Sequence, residues 1–317
     1  MISLKALITG ASGFVGTEMT KTLLKNNIEV MGISRTTSAL NGQVTEKYVC
    51  DIQEKSKLKK ILGFYRPNYI IHLAGPAFIP HSFDKPEITY DVIFKGTLNL
   101  LESMRELKLA SRLLYVSSAD VYGSGLKSVL SERDALEPAN PYSTAKACSE
   151  LLSKQFFYSY GTDVIIARPF NHTGPGQSAD FVCSSFAQQV ATMRDGLMKK
   201  QLVTGNIDVK RDFLDVRDVV EAYMALLNNG VSGQLYNVCS GQAVSIREIV
   251  KMLFRFADIE EYEIKVDSAK VRENDVALRV GDNKKIVTNV GWLPNYKIEQ
   301  TIGDLLEYWR ENLRVKA

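Results

Sequence analysis

Histidine is scarce in this chain. His72, His81 and His172 are the only three in 317 residues. That is too few to supply a His-based metal site or a Ser-His-Asp triad, and no metal ligand set is expected. The four cysteines, Cys50, Cys148, Cys183 and Cys239, are scattered and form no C-x-x-C pair. Zinc and dithiol redox motifs are thereby excluded, and buried reduced thiols are expected. No apolar run approaches the roughly 18–20 residues a membrane span needs. The opening MISLKALITG enters a strand-like run without a signal-peptide layout. A cytoplasmic protein with no membrane partner is the expectation. The net charge of +3 is too small to call for nucleic acid, though it is compatible with an anionic small molecule.

Other features are ordinary or informative. Apolar content of 45% and charged content of 24% suit a soluble globular chain. The length suits two modest domains, or one α/β domain with an appendage. Strand-like runs at 4–9, 28–33, 47–50, 69–73, 112–117 and 164–167 alternate with helical patterns at 14–25, 55–64, 88–107 and 142–160. This alternation predicts an α/β fold: a doubly wound parallel Rossmann sheet with helices on both faces. After residue 167 the character changes. RPFNHTGPGQ (168–177) is rich in turn formers, and the chain ends in an amphipathic helix at 298–313. The expected division is a dinucleotide-binding domain at 1–168 and a smaller C-terminal substrate-binding domain at 169–211 and 241–317. VKRDFLDVRDVVEAY and QLYNVCSG look like a return to the sheet, at about 212–240.

TGASGFVG (9–16) follows the first strand and opens a helix. A tight turn needs Gly10, close backbone approach to a pyrophosphate needs Gly13, and Gly16 lets the helix pack on the strand. The anion would sit on free N–H groups at the helix N-terminus. Gly10, Ser12, Gly13, Phe14, Val15 and Gly16 are therefore expected to hold a dinucleotide. An NAD site usually places an acid ~20 residues further on. Here GISRTTS (32–38) offers Ser34, Arg35, Thr36 and Thr37 instead. A guanidinium among hydroxyls suits a 2′-phosphate, so NADPH is favoured and NADH stays possible. Asp51 and Ile52, ending the third strand, could reach the adenine. In HLAG, Leu73, Ala74 and Gly75 let the backbone pass close to a ribose. His72 reads as a satisfied, buried histidine.

PYSTAKA (141–147) places Tyr142 and Lys146 on one helix face. YVSSADVYG (115–123) brings Ser117 and Ser118 to the carboxyl edge of the sheet, where ligands bind. A free phenol has a pKa of about 10, and a cation within ~4–6 Å lowers it by roughly 1–3 units. Tyr142 is expected to be the acid for a carbonyl that receives a hydride, with Ser118 bonded to the same oxygen. Lys146 would also hold the nicotinamide ribose.

TGASGFVG, the serine of SSADVYG, YSTAK and RDFLDVRDV resemble the extended short-chain dehydrogenase/reductase family over essentially the whole chain. The resemblance implies a C-terminal domain gripping a sugar nucleotide, Pro169 against the cofactor, and a homodimer through a four-helix bundle of 88–107 and 142–160. Read from the residues alone, the broad apolar stripes of those helices suit plain core packing equally well. RPFNHTGPGQ and VRENDVALRVGDNKKI (271–286) look most like members acting on GDP-sugars. That likeness places Asn171 at the sugar or phosphate, Arg211 and Arg272 at the diphosphate, and Asp275 at the guanosine ribose. It puts Phe181, Val182 and Ser185 in the pocket wall. Glu273 departs from the pattern, which has proline there.

The implied activity is NAD(P)H-dependent reduction of the C4 ketone of GDP-4-keto-6-deoxy-D-mannose, giving GDP-D-rhamnose for glycan biosynthesis. The alternatives are 4,6-dehydration of GDP-mannose, or another epimerase or reductase of the family. Dehydration needs an acid–base pair beyond the tyrosine. At those positions stand Ala119, with no proton to give, and Asp120, one methylene shorter than the usual glutamate. Asp120 is left either to orient the sugar or to serve as a loop carboxylate. A dinucleotide-binding regulator would have no need for Ser118, Tyr142 and Lys146 together.

Overall fold

The computed structural model describes residues 4–36, 44–123, 127–268 and 276–316. The apolar runs become a seven-stranded sheet in the order Glu46–Val49, Glu29–Ser34, Lys5–Thr9, Tyr69–His72, Arg112–Val116, Val164–Pro169, Leu235–Val238. Every neighbouring pair is parallel. The central strands are continuously apolar because both faces are covered: Leu7 and Ile8, Ile70 and Ile71, Leu113 and Leu114, Ile165 and Ile166 are all buried. Strand order reverses between Lys5–Thr9 and Tyr69–His72, which leaves a crevice at their carboxyl ends.

Helices Phe14–Lys25 and Val216–Asn229 cover one face, and Lys55–Tyr65, Gly96–Glu106 and Pro141–Tyr160 the other. The helix expected at 88–107 is three joined segments. Pro86–Tyr90 and Gly96–Glu106 are α-helical, and Asp91–Lys95 between them is a π turn. The Ile93 carbonyl there accepts from the hydroxyls of Thr97 (2.5 Å) and Ser149 (3.3 Å). Pro141 opens the long helix because Asn140 caps it. Asn140 Oδ1 accepts from Ser143 N, and Ser143 Oγ accepts from Asn140 N. Gly161 ends it in the left-handed conformation. Cys50, Cys183 and Cys239 are buried thiols, but Cys148 is exposed, contrary to expectation. It lies on the outer face of this helix, with exposed Leu151 and Tyr158 at the same helical spacing.

A second apolar core joins helices Val182–Arg194, Ile246–Phe256 and Ile298–Lys316. Short strands surround it, among them Lys210–Arg211 beside Leu278–Gly281. Two segments cross the boundary that the sequence suggests. Val129–Leu130 pairs with Leu278–Gly281, and Ile286 and Trp292 pack into the core of the large sheet. Leu130, Ile286 and Trp292 are buried by these crossings, while Val129 stays exposed. Aspartates of RDFLDVRD stitch the halves together. Asp212 accepts from the N–H groups of Ser240, Gly241 and Gly281, and Asp218 from those of Asn295 and Tyr296. Among the described residues, no helix is long and apolar enough to cross a membrane.

One buried ion pair fixes the long helix to the sheet. Arg168 Nη2 donates to Glu150 Oε2 at 2.6 Å and Arg168 Nε to Glu150 Oε1 at 2.9 Å, with side chains 3% and 1% exposed. Glu150→Gln would strand a guanidinium in the core. We expect a loss of ~3–5 kcal/mol in unfolding free energy, read by urea titration. A loss below ~1 kcal/mol, the range of a surface pair, would mean the pair does not clamp the helix.

Candidate active site

The glycine loop closes one end of a cavity of about 450 Å³ at the crevice. Gly10 has φ +74°, and a side chain there would press on the Ala74 backbone. A Cβ on Gly16 would stand 2.3 Å from the Gly10 carbonyl oxygen. Gly13 N–H closes the turn onto Gly10 O at 3.0 Å. No side chain caps the helix Phe14–Lys25, so its first N–H groups remain available to an anion. Gly10, Gly13, Phe14, Val15, Gly16, Leu73, Gly75 and Pro169 all line the cavity. The loop and its uncapped helix fit a dinucleotide.

The remaining expected cofactor residues lie outside the cavity lining. Ser12 is exposed on the loop, and Arg35 and Thr36 are exposed just past the end of Glu29–Ser34. Asp51 accepts from Gln53 N at 2.9 Å, bracing its own turn. Ile52 is buried, and its carbonyl accepts from Asn99 Nδ2. Ala74 N–H donates to Thr9 Oγ1 at 3.3 Å. Thr37, Arg272 and Asp275 lie outside the described residues.

His72 is a satisfied buried residue, as read from the sequence. Thr97 Oγ1 donates its proton to Ile93 O, so it must accept from His72 Nε2 at 3.1 Å. Nδ1 then accepts from Thr9 Oγ1 at 2.7 Å. Burial, with the Lys146 charge, pushes the His72 pKa down to about 3, so the ring stays neutral.

At the cavity's centre stand Ser118, Tyr142 and Lys146, each nine-tenths or more buried. Asp120 N–H donates to Ser118 Oγ at 3.1 Å, which leaves the serine proton to be given elsewhere. The Ser118 hydroxyl faces the Tyr142 phenol and acts to lower its pKa. Lys146 Nζ donates to Val116 O at 2.7 Å and sits 6.0 Å from the Tyr142 ring centre. Here the sequence expectation needs correction. The Tyr142 pKa is raised, not lowered: burial dominates and the Asp120 charge adds to it, against the Ser118 hydrogen bond. The ammonium is committed to a sheet carbonyl. Burial pushes its own pKa down to about 8, with Glu150 opposing.

Beyond this centre, Asp120, Asn171, Phe181 and Val182 line the cavity. Ser185 does not. It lies a turn further along its helix, its hydroxyl 3.5 Å from Gln189 Nε2. Arg211 is also outside the lining, its Nη1 donating to the carbonyls of Lys210 (2.9 Å) and Val276 (2.5 Å). Sequence reasoning gave no site role to the lining residues Arg279, His172 and Tyr223, and it placed Ser117 at the sheet's carboxyl edge without a role. Arg279 Nη1 forms an ion pair with Asp120. His172 stacks at 6.2 Å on Phe14 and donates from Nδ1 to Phe170 O. Ser117 Oγ and Tyr223 OH are buried with no partner among the described residues, hydroxyls that a ligand's polar edge would satisfy. Tyr223 was legible as the last residue of the VRDVVEAY stretch. Arg279 carried no signal in its own segment.

The chain is similar to known proteins along nearly its whole length. The chain is 38% identical to the GDP-6-deoxy-D-mannose reductase of Pseudomonas aeruginosa, over 98% of both chains. It is 29% identical to the GDP-6-deoxy-D-talose 4-dehydrogenase of Aggregatibacter actinomycetemcomitans, again over 98% of both. The solved structure of RMD from Pseudomonas aeruginosa complexed with NADPH superposes with a TM-score of 0.87 at 35% identity, covering 98% of this chain and all of that one. The profile described as GDP-mannose 4,6 dehydratase matches residues 7–305. The chain therefore belongs to the GDP-mannose 4,6-dehydratase family of the extended short-chain dehydrogenase/reductases.

Proposed function

We propose that this chain is a cytoplasmic, NADPH-preferring reductase of the C4 ketone of GDP-4-keto-6-deoxy-D-mannose, forming GDP-D-rhamnose. The observation that carries the proposal is the convergence of Ser118, Tyr142 and Lys146 with the glycine loop in one cavity. Likeness to a GDP-6-deoxy-D-mannose reductase supports the choice of sugar. NADPH, when bound, supplies the hydride that adds to C4. Tyr142 then gives its phenolic proton to the ketone oxygen, and Ser118 hydrogen-bonds the same oxygen. Lys146 holds the nicotinamide ribose and keeps a positive charge beside the phenolate left behind. Arg35 and Thr36 would take the 2′-phosphate. Asn171, Phe181, Val182, Ser185, Arg211, Arg272 and Asp275 are assigned to the sugar nucleotide.

Dehydration of GDP-mannose is the second reading, since the family takes its name from it. Ala119 has no proton to give, and the Asp120 carboxylate is already paired with Arg279, so the reductase is favoured. We also assign the dimer to the outer faces of Pro86–Tyr90 and Pro141–Tyr160. Ile88 and Leu151 are more than half exposed there, and Tyr158 is 78% exposed.

The wild type should oxidise one NADPH per GDP-4-keto-6-deoxy-D-mannose, followed by absorbance and NMR, and leave GDP-mannose untouched. Accumulation of a 4-keto-6-deoxy product from GDP-mannose with catalytic NADP would instead establish the dehydratase. Tyr142→Phe keeps the ring but loses the proton, so kcat should fall by ~10²-fold or more. A variant within threefold of wild type would remove Tyr142 from the chemistry. Lys146 works as a cation, so kcat/KM should decline as pH rises through about 8, where the ammonium loses its proton. Lys146→Arg stays charged, and its decline should move to higher pH. An unmoved limb would mean that another group titrates.

A further inference from the structure

We propose that Arg279 is a positioning residue that withholds the Asp120 carboxylate from proton transfer, so that a ketone sugar in this cavity is reduced without losing the configuration of the carbons beside the ketone. The proposal rests on the reductase reading above. Asp120 lies on the single turn Ala119–Tyr122, which starts directly after Ser118. It lines the cavity, and its charge bears on the Tyr142 phenol. A carboxylate therefore stands beside the place assigned to the ketone.

A C–H bond next to a ketone is acidic. A carboxylate base can take that proton while the C–H electron pair becomes the C=C bond of an enol. The former carbonyl oxygen receives the Tyr142 proton in the same exchange. Return of a proton to the other face of the carbon inverts that centre. This route needs neither oxidant nor reductant, so it competes with reduction whenever the carboxylate is unrestrained.

Arg279 removes that freedom. It reaches across from the strand Leu278–Gly281 and donates from Nη1 to Asp120 Oδ1. Its Nη2 donates to Gly123 O at 2.7 Å, at the other end of the same turn. The two bonds hold the guanidinium plane from two directions, so it cannot leave the carboxylate by a simple rotation. The pair is largely sheltered, at 15% and 25% side-chain exposure. The Oδ1 lone pair that accepts from the guanidinium is engaged, and the ion pair holds the whole carboxylate in one orientation.

Hydrogen exchange tests this directly. GDP-4-keto-6-deoxy-D-mannose is incubated in D₂O with the protein and saturating NADP⁺, and deuterium at the carbons flanking C4 is followed by NMR. The wild type should exchange no faster than buffer. Arg279→Met should exchange on the order of 10²-fold faster, the usual contribution of a positioned base. Adding Asp120→Asn should return it to the buffer rate. Arg279→Lys, which keeps the charge but loses the fork, should fall between the wild type and the Met variant. If Arg279→Met does not fold, Arg279→Gln is used, with the same exchange expected. A folded variant that exchanges no faster than wild type overturns the proposal, even if its KM has risen. So does exchange that persists after Asp120→Asn. Failure of the wild type to oxidise NADPH with this ketone would defeat the reductase reading instead, and the two failures are read in separate assays.

Discussion

An ammonium held away from water needs an oxygen partner, and Lys146 finds one on the edge of the sheet. Its bond to Val116 O sets the depth at which the helix Pro141–Tyr160 lies against the strand Arg112–Val116. Tyr142 is one turn before it and Glu150 one turn after, so phenol, ammonium and carboxylate form a single buried stripe. Glu150 is answered by Arg168 on the next strand. Buried charges of this kind add little net stability. What they do is make other registers of the helix costly, because any slip leaves a charge without its partner. The position of Tyr142 beside Ser118 follows from that constraint.

Carboxylates set the C-terminal half by the same logic. Asp212, Asp215 and Asp218 recur every three residues through the turn into helix Val216–Asn229. Each accepts N–H groups rather than facing water: Asp212 from the 240–241 and 281 turns, Asp215 from Arg217, and Asp218 from Asn295 and Tyr296. Asp212 is wholly buried, and burial pushes its pKa up against the pull of its hydrogen bonds. The segments around 240, 281 and 295 are thereby held by hydrogen bonds from their backbone N–H groups to buried carboxylates as well as by apolar contact.

Local periodicity made much of this legible in advance. Phe14–Lys25 begins and ends where its pattern does, and the glycine loop announces its own turn. The long helix starts one residue earlier than its apolar pattern because Asn140 and Ser143 cap each other. Features that depend on distant partners stayed hidden. The π turn at Asp91–Lys95 coincides with a carbonyl taken by a serine on another helix. Arg279 looks like any strand residue in VALRVGD, because its partner Asp120 lies far back in the chain. Spacing put Lys146 next to Tyr142 but could not reveal that the ammonium is already bonded to Val116.

That last difference changes how the site should be understood. A lowered phenol would be ionised near neutral pH and suited to taking a proton from an alcohol. In the structure, burial and the Asp120 charge raise the phenol instead, so it holds its proton. The Ser118 oxygen accepts the Asp120 N–H, so its proton is free for another acceptor. Tyr142 is thus set to donate into the cavity with the Ser118 hydroxyl beside it. Donors aimed where negative charge develops favour a carbonyl oxygen becoming an alkoxide. A phenol that still carries its proton is the form that reduction of a ketone asks of its acid.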